Sequence, residues 1–274
     1  MLKQRILTAL ILAPIAIACI FALPTTGFSI FIGIVLGIGA WEWANFAGLK
    51  GAYKFIYAAV LMALMFLCIF LPPLPILMLG ALWWCAAFGL MSTYPSSAHY
   101  WSSEPNSASI VISLIGLLNI LPAFVALITL KQSVDSSFLI LLLFFLIWGA
   151  DVGAYFSGRT FGKHKLAPKV SPGKSWEGFW GGLVFAVAIA ALMVSWLGKP
   201  VLNSPDGILF ILSCAFIVMI SVLGDLVESM FKRNRGIKDS SHLLPGHGGI
   251  LDRVDSLLSA GPFFAILIIV LDWK

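Results

Sequence analysis

Charge is scarce in this chain. Of 274 residues only 17 are Lys or Arg and 12 are Asp or Glu, against 60% hydrophobic residues and a mean hydropathy of +1.01. That balance excludes an ordinary soluble domain, which needs more charge than this on its surface. Cysteine is scarce too. Cys19, Cys68, Cys85 and Cys214 all fall inside apolar runs and none belongs to a Cys-x-x-Cys pair. Neither a disulfide framework nor a zinc site is indicated, and the four read as small packing residues. Long polar stretches and internal repeats are also missing, so residues 1–274 read as a single membrane-embedded domain.

What is present is apolar sequence. Runs of roughly 20 apolar residues cross a bilayer core, and about nine are found. They lie near 6–23, 28–47, 53–71, 74–92, 108–130, 136–157, 178–197, 207–227 and 256–272. Being apolar all round rather than alternating, they predict an all-α polytopic helical bundle and not a β-barrel. Lys3 and Arg5 before the first run resemble a signal peptide, and Ala18-Cys19 resembles a lipoprotein cleavage site. The run continues to Leu23 and another follows, which favours an uncleaved first helix.

The bases set the orientation. With a cytoplasmic N-terminus, Lys3, Arg5, Lys50, Lys54, the five bases from Arg159 to Lys174 and the five from Lys232 to Arg253 all face the cytoplasm. Only Lys131, Lys199 and Lys274 face outward, which strongly favours this orientation over its reverse. The net charge of +5 follows from the same bias, and nucleic acid is not expected as a partner. Trp196 and Trp273 stand at outer span ends as aromatic anchors, and Glu42, between Trp41 and Trp43, reads as an acid reaching the cytoplasmic interface. Glycine pairs four apart, Gly33/Gly37, Gly149/Gly153 and Gly178/Gly182, permit close helix packing. Pro72-Pro73 reads as a tight outer turn. The Ser-rich loop 92–107 offers no chemistry beyond an interfacial segment.

Charge is concentrated in one place. Residues 224–256 hold five acids, five bases and two of the four histidines. Asp225, Glu228 and Lys232 are spaced to share a helix face, and Asp252 and Asp255 repeat the three-residue step in the next span. Between the acidic pairs lie Lys232, Arg233, Arg235 and Lys238, then Gly246-His247-Gly248-Gly249. Glycines before a helix let backbone N–H groups turn toward an anion. Carboxylates able to hold a divalent cation thus sit beside groups able to hold phosphates, the pairing that phosphoryl or nucleotidyl transfer needs.

The string Ser229-x-Phe231-Lys232-Arg233, four residues, Lys238-Asp239, then Pro245-x-His247-Gly248-Gly249-x-x-Asp252-Arg253-x-Asp255 resembles the signature of phosphatidate cytidylyltransferases (CDP-diacylglycerol synthases), with no departure from it. A second stretch runs from Asp151 to Gly178. Asp151, Tyr155, Gly158 and Arg159 lie near one helical face at the inner end of the sixth span. Asp151 is too deep for casual placement, since a charge at a helix centre costs about 2.5–3.5 kcal/mol on insertion scales. Further on, Ser171-Pro172-Gly173-Lys174-Ser175 fails as a Walker A loop, because Pro168 stands where the first glycine belongs and no strand is expected before it. It is instead similar to the family's Ser-Pro-x-Lys-Ser/Thr-x-Glu-Gly region, here Ser171, Pro172, Lys174, Ser175, Glu177 and Gly178.

The resemblance implies an enzyme that transfers CMP from CTP to phosphatidate, giving CDP-diacylglycerol and pyrophosphate. It implies that Asp225 and Asp252 hold Mg²⁺, that Lys232, Lys238 and Arg253 grip CTP or the lipid phosphate, and that His247, Gly248 and Gly249 cradle phosphate oxygens. Asp239 and Asp255 become supporting acids, and Ser171, Lys174 and Glu177, with Asp151 and Arg233, complete the substrate site. Arg235 and His242 read as interfacial residues. A homodimer in a bacterial inner membrane, with membrane lipid as partner, is implied as well. The alternative is a cation- or proton-coupled transporter whose path is lined by Glu42, Asp151 and Asp225. Against it, no paired broken helices are found. The Asp-Gly-x-x-Ala-Arg motif of CDP-alcohol phosphotransferases is absent.

Overall fold

A computed structural model describes residues 14–102, 105–196 and 205–271. Residues 14–22 are helical, and α1 (Thr25–Phe46), α2 (Ala52–Cys68), α3 (Pro73–Ser92), α4 (Pro105–Gln132) and α5 (Ser136–Phe161) follow in order. A two-stranded antiparallel hairpin, β1 (Lys165–Ala167) and β2 (Ser171–Ser175), leads into α6 (Trp176–Trp196), α7 (Pro205–Asn234) and α8 (Leu251–Leu271). The molecule is nearly all helix, as expected. The hairpin corrects the expectation that no strand precedes Ser171. Among the described residues seven helices are long and apolar enough to cross a membrane, and α2, at 17 residues, is shorter. The first half of the first expected span, residues 6–13 of 6–23, lies outside the described residues, as do Lys3, Arg5, Glu104, Lys199, Trp273 and Lys274. All four cysteines are free.

In lipid no hydrophobic effect drives helices together, so packing and buried hydrogen bonds must hold the bundle. Trp43 Nε1 of α1 donates to Ile112 O of α4 at 2.8 Å, and Tyr57 OH of α2 donates to Ser113 O at 2.8 Å. Both rings sit where a side chain on Gly116 would stand. Pro262, inside α8, has no N–H to give Leu258 O four residues back. The Trp84 indole of α3 supplies that bond at 3.2 Å.

The most extensive helix contact among the described residues joins α5 to α6. Here the two expected glycine pairs meet each other. A Cβ on Gly153 would stand 3.0 Å from Gly181 O, and one on Gly182 would stand 2.5 Å from Ala150 O. Gly37 packs instead on the Met62 side chain of α2. The α5–α6 crossing ends at the hairpin, and α7 passes beside it. With 30 residues α7 is roughly 45 Å long, more than a hydrocarbon core of about 30 Å, so its charged last turns can extend past the apolar layer.

Candidate active site

About two turns of chemistry crowd the end of α7. Asp225 Oδ1 accepts from Ser229 Oγ at 3.2 Å, one turn on, which fixes its carboxylate against the helix. Lys232 Nζ lies 3.1 Å from Glu228 Oε1 and 2.7 Å from Asp252 Oδ1. Both Glu228 and Lys232 are buried, at 3% and 7% exposed. Buried charges persist only when paired, and this pair has Asp252 as its third member.

The loop into α8 is shaped by its turn residues. Pro245 and Gly246, the latter at φ 77°, stand at the two central positions of a turn closed by His247 N donating to Leu244 O at 2.9 Å. Pro then a positive-φ Gly is the requirement of a type II turn. Asp252 then reaches back from the first turn of α8. Its Oδ2 accepts from Gly249 N at 2.8 Å and from Ser240 N and Ser240 Oγ, both at 2.9 Å. A Cβ on Gly248 would meet that same oxygen at 2.6 Å.

Glu42 joins this loop from α1, which corrects its reading as an interfacial acid. It is wholly buried. Its Oε1 accepts from Ser241 Oγ at 2.6 Å and Ile250 N at 3.0 Å, and its Oε2 from Leu251 N at 2.6 Å and Ser240 Oγ at 3.2 Å. A helix N-terminus leaves N–H groups unmatched and attracts an anion. Here Glu42 and Asp252 supply that anion from within the protein.

The hairpin carries the second signature onto this network. Lys174 Nζ, from β2, lies 2.6 Å from Asp225 Oδ2. Beside the pair opens a cavity of about 380 Å³, lined by Asp151, Tyr155, Arg159, Lys174, Ser175 and Phe179 among others. Asp151 is exposed there, within electrostatic reach of Lys174, Asp225 and Arg253. Arg159 Nη1 donates to Tyr155 OH at 3.1 Å. Asp255 sits near Asp225 and Lys174, and its Oδ1 accepts from Ser256 N at 2.7 Å.

Other expected residues are placed around this centre rather than in it. Glu177 accepts from Lys163 N at 3.1 Å, His164 N at 3.2 Å and His164 Nδ1 at 2.7 Å, and so ties the end of α5 to the start of α6. Ser171 pairs with Ala167 across the hairpin. Arg233 Nε donates to Val170 O at 3.1 Å, anchoring the hairpin to α7. Arg253 Nη2 holds His247 O at 3.0 Å. Lys238, Asp239 and His242 are exposed on the loop. Among the described residues no three His, Cys, Asp or Glu side chains converge as a ready metal site.

Tyr155, Arg159, Ser240, Ser241 and Glu42 were not among the expected site residues. The four-residue steps from Asp151 to Tyr155 to Arg159 were a usable signal for the first two. For Glu42 the signal was rarity, because the first 150 residues contain only two other acids, Glu104 and Asp135.

Comparison with known proteins gives the chain a family. The chain is 48% identical over its whole length to a protein named phosphatidate cytidylyltransferase from Pseudomonas aeruginosa, covering 99% of that protein. It is 41% identical over 97% of its length to one of the same name from Haemophilus influenzae, covering 98% of it. A third of that name, from Bacillus subtilis, is 47% identical over 124 residues, 44% of each chain. The profile of the Cytidylyltransferase family matches residues 3–271, and the chain belongs to that family.

Proposed function

We infer that this chain transfers CMP from CTP to phosphatidate, releasing pyrophosphate and forming CDP-diacylglycerol for phospholipid synthesis. The observation that carries the reading is the contact between Lys174 and Asp225. It joins two signature segments about 50 residues apart at one cavity, polar at Asp151, Arg159 and Lys174 and apolar at Ala150, Ala154, Leu166, Phe179 and Val222. A lipid phosphate needs that combination, an apolar wall for the glycerol and acyl chains beside cations for the headgroup.

In the reaction a phosphate oxygen of phosphatidate forms a bond to the α-phosphorus of CTP, and the bond from that phosphorus to the bridging oxygen of pyrophosphate breaks. Phosphatidate already carries an anionic oxygen, so no strong general base is required. The barrier is one of bringing anions together in line, which positioning and charge neutralisation lower. Lys174 and Lys232 are the cations best held for this, each fixed by carboxylates. Arg253 and the His247-Gly248-Gly249 turn flank them, and Lys238, on the exposed loop, can reach the nucleotide from outside.

A divalent cation, Mg²⁺, fits the donor set. Asp225, Glu228, Asp252 and Asp255 are hard oxygen donors grouped around Lys174 and Lys232. Asp225 and Asp252 are the proposed holders. Each has one oxygen turned to a lysine ammonium, Oδ2 of Asp225 to Lys174 and Oδ1 of Asp252 to Lys232, and would offer its carboxylate to the ion. When bound, the ion screens the triphosphate charge.

The nine-span arrangement with a cytoplasmic N-terminus and a cytoplasmic site remains the reading that the distribution of bases supports. Bacterial relatives support an inner-membrane location, and the homodimer rests on the resemblance alone. The transporter reading has no support, since Glu42 is engaged by four donors instead of lining a path. The test is product formation by the purified protein in detergent with CTP and phosphatidate, with and without Mg²⁺. Metal-dependent CDP-diacylglycerol and pyrophosphate are expected, and their absence from folded protein under any divalent metal would overturn the assignment.

A further inference from the structure

We propose that Glu42 is a positioning residue for this reaction, clamping the N-terminus of α8 so that Asp252 and the glycine turn are held in working register. The proposal rests on the transferase reading above, but Glu42 itself lies outside the two signature segments. Glu42 belongs to α1, and its four donors lie 198 to 209 residues away in sequence.

Three features distinguish this carboxylate from a packing residue. First, it is wholly buried and makes no ion pair among the described residues, and its hydrogen bonds come from two hydroxyls and two backbone N–H groups. A buried carboxylate is costly, and a leucine would fill the space without that cost. What leucine could not do is fix four donors from a loop and a helix start at once. Second, the clamp has a second grip. Asn45, one turn along α1, donates Nδ2 to Ser240 O at 2.8 Å, so the end of α1 holds Ser240 by both its carbonyl and its hydroxyl. Third, the clamp touches the site directly. The Ser240 hydroxyl stands 3.2 Å from Glu42 Oε2 and 2.9 Å from Asp252 Oδ2, and its one proton serves both carboxylates. Asp252 in turn holds Lys232.

Gly249 makes this approach possible. A Cβ there would run into Ser240 Oγ and Glu42 Oε1, so the turn must lack a side chain for α1 to reach it. The three consecutive N–H groups of residues 249 to 251 are then shared between two acids, Gly249 with Asp252, and Ile250 and Leu251 with Glu42. If Glu42 lets go, the backbone that aims Asp252 loses its register.

Glutamine cannot substitute. Its single amide oxygen can serve one side of the clamp, and its NH₂ then faces a backbone N–H on the other, Ile250 N or Leu251 N, donor against donor. Aspartate keeps both oxygens at a shorter reach.

The test uses the full chain in lipid–detergent micelles with CTP and phosphatidate, comparing E42Q, E42D and S241A with wild type. A misplacement of reacting groups by about 1 Å costs about 100-fold, so E42Q is expected to lose about that much in kcat, with KM for CTP little changed. E42D should recover most of it. S241A removes one hydrogen bond to the carboxylate and should cost about tenfold in kcat while the protein stays folded. Hydrogen exchange should quicken at residues 249–252 in E42Q and stay unchanged across the α5–α6 crossing. A wild-type kcat in folded E42Q would overturn the proposal. So would a failure of E42Q to fold combined with S241A at the wild-type rate, since that describes a staple only. Absence of product from wild type would instead defeat the transferase reading, and the local exchange change would still read the clamp.

Discussion

Lys174 Nζ, near the base of the hairpin, stands 2.6 Å from Asp225 Oδ2, and this contact joins β2 to the charged end of α7. Both side chains keep about a quarter of their surface exposed. An ion pair so placed contributes about 0–1 kcal/mol to stability, so its value lies in where it leaves the ammonium.

Lys174→Met tests that directly. Loss of a cation aimed at developing phosphate charge costs about 10²–10³ in kcat when the donor is pre-aligned. The expected outcome is a fall of that size in CDP-diacylglycerol formation, with a thermal midpoint in detergent within about 4 °C of wild type. A matching loss of folded protein would show that the contact is a staple and not part of the site.

Asp225→Asn and Asp252→Asn should both abolish Mg²⁺-dependent turnover, and a chelator should stop the wild type reversibly. They should differ in stability. Asp225 answers one serine and one lysine at a partly open position. Asp252 answers Lys232 on one oxygen and three donors on the other. An asparagine there must turn its NH₂ on one set or the other, leaving a donor unmatched at about 1–3 kcal/mol. Thermal scans should therefore separate the two variants, with only Asp252→Asn melting several degrees lower. Wild-type turnover in either would refute its place as a metal holder.

The contrast between Asp151 and Glu42 explains what could be read before any coordinates. Asp151, Tyr155 and Arg159 repeat every four residues on one helix, so their shared face follows from helical geometry alone. The glycine pairs of α5 and α6 were legible for the same reason, and so was the clustering of acids and bases in 224–256. Glu42 depends on donors about 200 residues away, and no local pattern encodes a contact of that range. The hairpin is not legible because Lys165–Ala167 and Ser171–Ser175 have no alternating apolar pattern to set their pairing. The hydrogen bonds that Glu177 accepts from the backbone of Lys163 and His164 have no local sequence pattern either.

The α5–α6 crossing gives a prediction about stability. A valine at Gly182 would drive its Cβ to 2.5 Å from Ala150 O, a backbone atom that cannot swing aside. Overpacking of this kind costs about 1–3 kcal/mol. Gly173, on the hairpin, has nothing within 4 Å of its would-be Cβ and no positive φ. Gly182→Val should therefore lower the thermal midpoint clearly while Gly173→Ala leaves it unchanged. Equal midpoints would mean that the two helices do not approach this closely.

Two arginines two residues apart make a paired test. Arg233 holds Val170 O and Ile237 O, so it links the hairpin to the end of α7. Arg235 lies over Gly48, at the end of α1, away from the cavity. Arg233→Gln should loosen Lys174 from Asp225 and reduce kcat about tenfold, a fraction of what a full misplacement costs. Arg235→Gln should be nearly silent. A large loss at Arg235 would show that the site extends onto the α1–α2 turn.

Arg159 offers the sharpest separation of the two substrates. Its guanidinium donates to Tyr155 OH, both groups are exposed, and both line the cavity beside the apolar side chains of Leu166, Phe179 and Val222. CTP has no apolar tail to place there, whereas a phosphatidate headgroup arriving from the bilayer would meet this arginine with its chains along that wall. Arginine matches a phosphate with paired N–H donors, which glutamine cannot reproduce. Arg159→Gln should therefore raise KM for phosphatidate about tenfold, the size of one lost charge-assisted hydrogen bond, and leave KM for CTP within a factor of about two. Measuring both in mixed micelles, with phosphatidate as a surface fraction, keeps the two substrates independent. If KM for CTP rises and that for phosphatidate does not, the cavity belongs to the nucleotide, and the lipid must approach Asp225 from the other side of α7.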